Sequence, residues 1–147
     1  MSFTTSFKKI TLSAVIASSL LAVPALAGGN SVNVVQDGWM NGIGGGQAGS
    51  FNHMELHQFG GGNTIFSTQD GNHNETVVGQ GGWNNNVNSS QFGGGNLNAV
   101  AQMGNNNDVD MTTTGFGNSN AVIQLGDDNS ASTSVNGVGN SSLIVQY

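Results

Sequence analysis

The chain is expected to be all-β, wound from short strands of constant length, and three observations carry that expectation. Asn recurs every eleven residues, at 30, 41, 52, 63, 74, 85, 96, 107, 118, 129 and 140, without exception. Within most of the seven-residue runs that these Asn open, apolar or β-branched side chains fall on even offsets, as in Val32 and Val34, Met54 and Leu56, or Val109 and Met111. That period of two is the signature of a strand with one face buried. Gly stands second in the four-residue segments that follow the runs, from Asp37-Gly-Trp-Met40 to Asn136-Gly-Val-Gly139. A backbone position that needs a positive φ would impose that choice.

The register extends to the far end of each run. Six residues after each Asn come Gln36, Gln47, Gln58, Gln69, Gln80, Gln91 and Gln102, then Thr113, Gln124, Val135 and Gln146, so nine of eleven are Gln. Without this register the composition, with 24 Gly and only 7% charged residues, would read as disordered. An internal repeat takes precedence over composition.

The first 27 residues are of another kind. Lys8 and Lys9 precede an apolar run from Ile10 to Leu21, and Ala25 and Ala27 are the small residues a signal peptidase reads, so cleavage is expected between Ala27 and Gly28. The apolar run is short for a membrane span and no second one follows, so the mature chain is expected to be exported and not membrane-spanning. Both basic residues lie in this segment. Beyond it stand eight acidic side chains against no Lys or Arg, a net charge of −8. Such a balance disfavours nucleic acid and anionic lipid as partners, since both require cations. With no Cys, no disulfide supports the exported chain.

Strands and four-residue turns of constant length describe a coil of two strands every 22 residues. Alternate strands then stack into two facing parallel sheets, a β-solenoid. One sheet holds the strands opening at Asn30, Asn52, Asn74, Asn96, Asn118 and Asn140, and the other those opening at Asn41, Asn63, Asn85, Asn107 and Asn129. Asn and Gln at both ends of each run then face inward with the apolar pair. A lone buried amide costs on the order of 1–3 kcal/mol, but amides stacked coil upon coil can each donate to one neighbour and accept from the other. The ladder is expected to be unbroken through Gln124 and Gln146 in the first sheet. In the second it lapses at Thr113 and Val135, which predicts weaker register there toward the C-terminus.

The outward faces differ. On the second sheet they are small or polar, as in Ser130, Ser132 and Ser134, whereas on the first they turn apolar at Leu97, Ala121, Ile123, Leu143 and Val145. An apolar face of that kind suits lateral contact between filaments, or is simply exposed strand surface. The terminal run, Asn140 to Gln146, fits the pattern as well as any internal one, with no atypical capping repeat. Two open and complementary edges make a head-to-tail contact that does not close, and such contacts build fibres.

Asn85 to Gln102 matches the pattern Asn-x5-Gln-x4-Asn-x5-Gln, and Asn107 to Gln124 and Asn129 to Gln146 keep its spacing with Thr113 and Val135 in place of the first Gln, together with Gly-x-Gly-Asn turns and a terminal Gln-Tyr. In these features the chain resembles the curlin family, to which the major subunit of curli, a bacterial functional amyloid, belongs. The resemblance implies five repeats, 41–58, 63–80, 85–102, 107–124 and 129–146, preceded by an export segment at 28–40 to which Asn30 to Gln36 adds a strand-like unit. It also implies export through the periplasm, passage through an outer-membrane curli pore with accessory factors, and cell-surface polymerisation seeded by a minor nucleator subunit. The polymer core would be held by the inward amides of Asn41 to Gln146 named above. Asp70, Asp108, Asp110, Asp127 and Asp128 are candidate gatekeepers against premature association, or simply solubilising charges.

Catalytic chemistry finds no motif. His53, Glu55 and His57 share one outward strand face, but not in the helical arrangement of zinc proteases, and are read as surface residues. No Gly-x-Ser-x-Gly elbow is present, and the Gly triplets lack the Lys and helix of a phosphate loop. No enzyme activity, cofactor or metal is therefore expected. Two rivals share the architecture: the minor nucleator, expected to be more basic and to have a divergent last repeat, and a monomeric ice- or ligand-binding solenoid. The latter needs a Thr repeated coil after coil, whereas Thr112, Thr113 and Thr114 stand isolated.

Overall fold

In the computed structural model the described residues are 28–147, so the segment expected to be a signal peptide, with Ala27 at its end, lies outside them. Eleven strands follow one another: β1 (Ser31–Trp39), β2 (Gly42–Ser50), β3 (His53–Gly61), β4 (Thr64–Asn72), β5 (Glu75–Trp83), β6 (Asn86–Gly94), β7 (Leu97–Asn105), β8 (Asp108–Phe116), β9 (Ser119–Leu125), β10 (Ser130–Val138) and β11 (Ser141–Gln146). Odd-numbered strands stack in the order β1-β3-β5-β7-β9-β11, and even-numbered ones from β2 to β10. Every pairing is parallel and offset by 22 residues, as in Gln58 with Gln80 and Gln69 with Gln91. The chain is a β-solenoid with the sheet membership that the eleven-residue register predicts. Among the described residues, no helix is long and apolar enough to cross a membrane.

The strands differ from the expected seven residues. Most have nine, beginning one residue after Asn and running three past Gln. The residues expected to turn therefore largely continue the ladder, and the connection shrinks to two residues such as Gly62-Asn63. Gly82 shows why. Its φ of 112° bends the chain while it stays paired with Gly60 below and Gly104 above. A Cβ on Gly82 would lie 2.0 Å from the carbonyl oxygen of Gly104, so both the bend and the close stacking exclude a side chain.

A second positive φ ends each strand just before the next Asn. Gly62 has it at 68°, but so do Met40 (56°), Phe51 (57°), His73 (57°), Asn84 (56°), Asn106 (57°) and Asp128 (59°). A left-handed backbone costs an L-residue roughly 1–2 kcal/mol. The stack holds these residues there because the chain must reverse within two positions.

The core is the narrow space between the sheets. Met54, Leu56, Ile65, Val78, Val87, Val100, Val109, Met111, Val122 and Ala131 form one continuous cluster along it. All occupy the even offsets of their runs, and Ile65, Val87, Val109, Met111 and Val122 are fully enclosed. At ~1.5–3 kcal/mol for each large apolar side chain removed from water, this thin cluster leaves much of the cohesion to hydrogen bonds.

The expected weakening of the second sheet toward the C-terminus does not occur. β8 and β10 pair over all nine residues, from Asp108 with Ser130 to Phe116 with Val138. Backbone pairing and the packing of Val109, Met111 and Ala131 maintain register without the Gln, and Val135 is itself buried.

Candidate functional site: amide ladders and open sheet edges

The inward Gln side chains form two ladders. In the odd-numbered sheet each Nε2 donates to the Oε1 one coil on, from Gln36 to Gln58 (2.8 Å), Gln80 (2.9 Å), Gln102 (2.8 Å), Gln124 (2.8 Å) and Gln146 (2.8 Å). In the even-numbered sheet the same bond joins Gln47 to Gln69 (2.7 Å) and Gln69 to Gln91 (2.9 Å). Except at Gln36, the other proton of each amide crosses the core. Gln58 reaches the carbonyl of Gly42 at 3.1 Å and Gln91 that of Glu75 at 2.9 Å. One side chain thus ties its coil both to the next rung and to the facing sheet.

The Asn residues do something other than the expected side-chain ladder. The Oδ1 of each accepts the backbone N–H of the Asn one coil on, as Asn52 does from Asn74 (3.0 Å), Asn63 from Asn85 (3.0 Å) and Asn85 from Asn107 (3.0 Å). Its Nδ2 donates to backbone carbonyls, with Asn63 reaching Phe59 (3.2 Å) and Gly82 (3.0 Å). Direct Nδ2 to Oδ1 bonds run only between Asn96 and Asn74, Asn107 and Asn85, and Asn118 and Asn96 among the described residues. The reason is the two-residue connection: the N–H of the Asn after a left-handed residue falls outside the strand ladder, and an amide side chain reaches it.

Where the second Gln ladder ends, a polar cluster replaces it. Thr113 Oγ1 donates to Asn98 Oδ1 at 2.6 Å, Asn98 Nδ2 to Ser89 Oγ at 2.9 Å, and Thr133 Oγ1 to Asn120 Oδ1 at 3.1 Å. Asn98 and Asn120, fully buried on the facing sheet, were missed in the sequence because they stand at even offsets where apolar residues are expected. The signal was present: they appear in the two coils flanking the Thr113 lapse. One coil earlier Thr76 occupies their position and bonds Gln69 (3.1 Å) and Gln91 (3.0 Å).

Each candidate gatekeeper is exposed. None stacks on another carboxylate. Asp108 lies between Asn86 and Ser130, Asp110 between Asn88 and Ser132, and Asp70 between Ala48 and Phe92. Asn side chains from the coil below donate to four of them: Asn86 to Asp108 (2.7 Å), Asn88 to Asp110 (3.4 Å), Asn105 to Asp127 (3.0 Å) and Asn106 to Asp128 (3.0 Å). Two carboxylates one rung apart would repel by on the order of 1 kcal/mol even in water, and the sequence spaces them to avoid it.

His57 Nε2 meets Glu55 Oε1 at 3.1 Å on the outward face. Among the described residues no group of three His, Asp or Glu side chains is placed to hold a metal ion. Gly28, on the far side of the expected cleavage point, is exposed and its carbonyl accepts the N–H of Phe51 at 2.9 Å.

Both ends of the stack are open among the described residues. β1 and β2 bound one end, β10 and β11 the other, and each is paired on one edge alone. At the first end the N–H groups of Asn30 and Asn41 and the Oε1 of Gln36 and Gln47 have no partner among the described residues. At the second, Asn129 Oδ1, Asn140 Oδ1 and one proton of Gln146 Nε2 have none. The two inventories are donor against acceptor. No family model and no curated protein matches the chain.

Proposed function

We propose that the mature chain is the structural subunit of an extracellular curli-type amyloid fibre, joining head to tail with copies of itself. The observation that carries this reading is the pair of open, chemically complementary edges on a stack whose internal rungs already use the same bonds. The curlin spacing of Asn and Gln supports the same assignment. On this reading the chain leaves through the periplasm and an outer-membrane pore with its accessory factors, and a minor nucleator subunit starts polymerisation at the cell surface. The fibre then serves adhesion and biofilm matrix. The absence of Lys and Arg after residue 27 favours the major subunit over the nucleator.

Incubating the purified mature chain tests this. The expected outcome is a lag, a rise in thioflavin fluorescence, threads by electron microscopy, and fibre reflections near ~4.8 Å and ~10 Å. Persistence of single compact particles at high concentration would instead place the chain among monomeric binding solenoids.

A further inference from the structure

Successive strands alternate between sheets, and the described residues hold eleven of them, so β1 and β11 belong to the same six-stranded sheet while the other has five. The next vacant rung in the winding therefore lies over β10, not over β11. We infer that in the polymer each copy is turned by half a revolution relative to the one before, so that β1 of a second copy seats on β10 and its β2 on β11. This rests on the polymer reading above and specifies its junction.

The eleven-residue register fixes what meets at that junction. Asn30 N–H falls on Asn129 Oδ1 and Asn41 N–H on Asn140 Oδ1, repeating the bond found at every internal coil, as in Asn52 to Asn74. Gln47 falls on Gln146, whose spare Nε2 proton then finds Oε1. The single carboxylate of β1, Asp37, falls on neutral Asn136. Of the inward residues, Ile43 falls on Ser142, one inward position along the strand from Ile144, so that Ile43 and Ile144, both only partly buried at their open ends, come to lie on adjacent rungs.

The two alternatives each lose something the structure already has. Seating β1 on β11 leaves the rung over β10 empty, with nine residues of backbone and the inward Ala131, Thr133 and Val135 uncovered. Removing β1 from the stack restores an even count, but it breaks nine paired residues with β3, the Gln36 to Gln58 bond at 2.8 Å, and the edge contact of Trp39 with Trp83 at 6.2 Å between ring centroids.

The chain has no Cys, so cross-linking reads the junction directly. Val35, Gly46, Ser134 and Val145 all point outward and are exposed, and a Cβ at Gly46 meets nothing within 4 Å. Adjacent rungs lie ~4.8 Å apart, within disulfide reach. Fibres co-assembled from Val35→Cys and Ser134→Cys chains should give covalent dimers on oxidation. Dimers from Val35→Cys with Val145→Cys would show same-sheet seating with an empty rung, and dimers from Gly46→Cys with Ser134→Cys would show that β1 lies outside the stack; either overturns the inference while leaving the polymer intact. Absence of fibres from the unsubstituted chain removes both readings. As a second readout, an electron-dense label on Leu143→Cys should appear on alternate sides of the fibre, and a label confined to one side overturns the half-revolution.

Discussion

Thr113 Oγ1 donates to Asn98 Oδ1 at 2.6 Å across the interior, from a position where all seven earlier runs of the register hold Gln. The bond explains how a ladder can stop without a fault: the hydroxyl is too short to reach the next rung and instead meets an amide from the facing sheet. Asn98→Ala leaves Thr113 and Ser89 without that partner, at a cost of ~1–3 kcal/mol. If the chain polymerises, the concentration left in solution at plateau should rise by roughly five- to a hundredfold, at tenfold per ~1.4 kcal/mol. Asn98→Ala with Thr113→Val should recover part of the loss.

Gln80 sits mid-ladder, accepting from Gln58 at 2.9 Å, donating to Gln102 at 2.8 Å and reaching the Thr64 carbonyl at 3.1 Å. Gln80→Leu keeps the bulk and removes all three bonds. The expected loss is ~2 kcal/mol or more, since several buried partners are orphaned at once. Gln47→Leu, at the open end with one ladder bond and one carbonyl contact, should cost less in the isolated chain. Denaturant midpoints of freshly desalted, unpolymerised material compare the two.

Gly81 and Gly82 are adjacent and should behave oppositely. A Cβ on Gly81 meets nothing within 4 Å, while one on Gly82 meets the Gly104 carbonyl at 2.0 Å and sits at φ 112°. Gly81→Ala is expected to be neutral or to stabilise by ~0.4–1 kcal/mol through the unfolded chain. Gly82→Ala is expected to cost ~3 kcal/mol or more, combining backbone strain with a clash between coils. Thermal or denaturant unfolding of the pair checks the contrast.

Asp108 and Asp110 occupy neighbouring outward positions, each accepting from an Asn one coil below. Changing both to Asn keeps a polar stack and removes two of the eight negative charges that every approaching copy must overcome. The lag before fibre growth should shorten, with the largest effect at low salt where charges are least screened. An unchanged lag across salt concentrations would reduce these residues to solubilising groups.

Much of this arrangement was legible because a solenoid repeats its own solution. The spacing of Asn52, Asn63 and Asn74 sufficed to assign strands to sheets, and alternation within Met54 and Leu56 identified the interior. What stayed hidden depends on how coils touch. That strands run three residues past Gln is decided by Gly60, Gly82 and Gly104 stacking on one another, a relation between coils and not a local preference. That Met40, Phe51 and His73 adopt a left-handed backbone runs against local propensity and is imposed by the two-residue connection. Likewise Asn98 and Asn120 become comprehensible only once Thr113 is seen opposite them.

The 22-residue offset between paired strands also bears on how such a chain can change length. Every coil presents to the next the same acceptors and donors that it receives, so duplicating or deleting one whole coil returns each Asn and Gln to an equivalent neighbour, whereas adding a single residue would turn the interior side of every later strand outward. Genes encoding this architecture are thus free to grow or shrink in steps of two strands, and closely kept in frame between those steps.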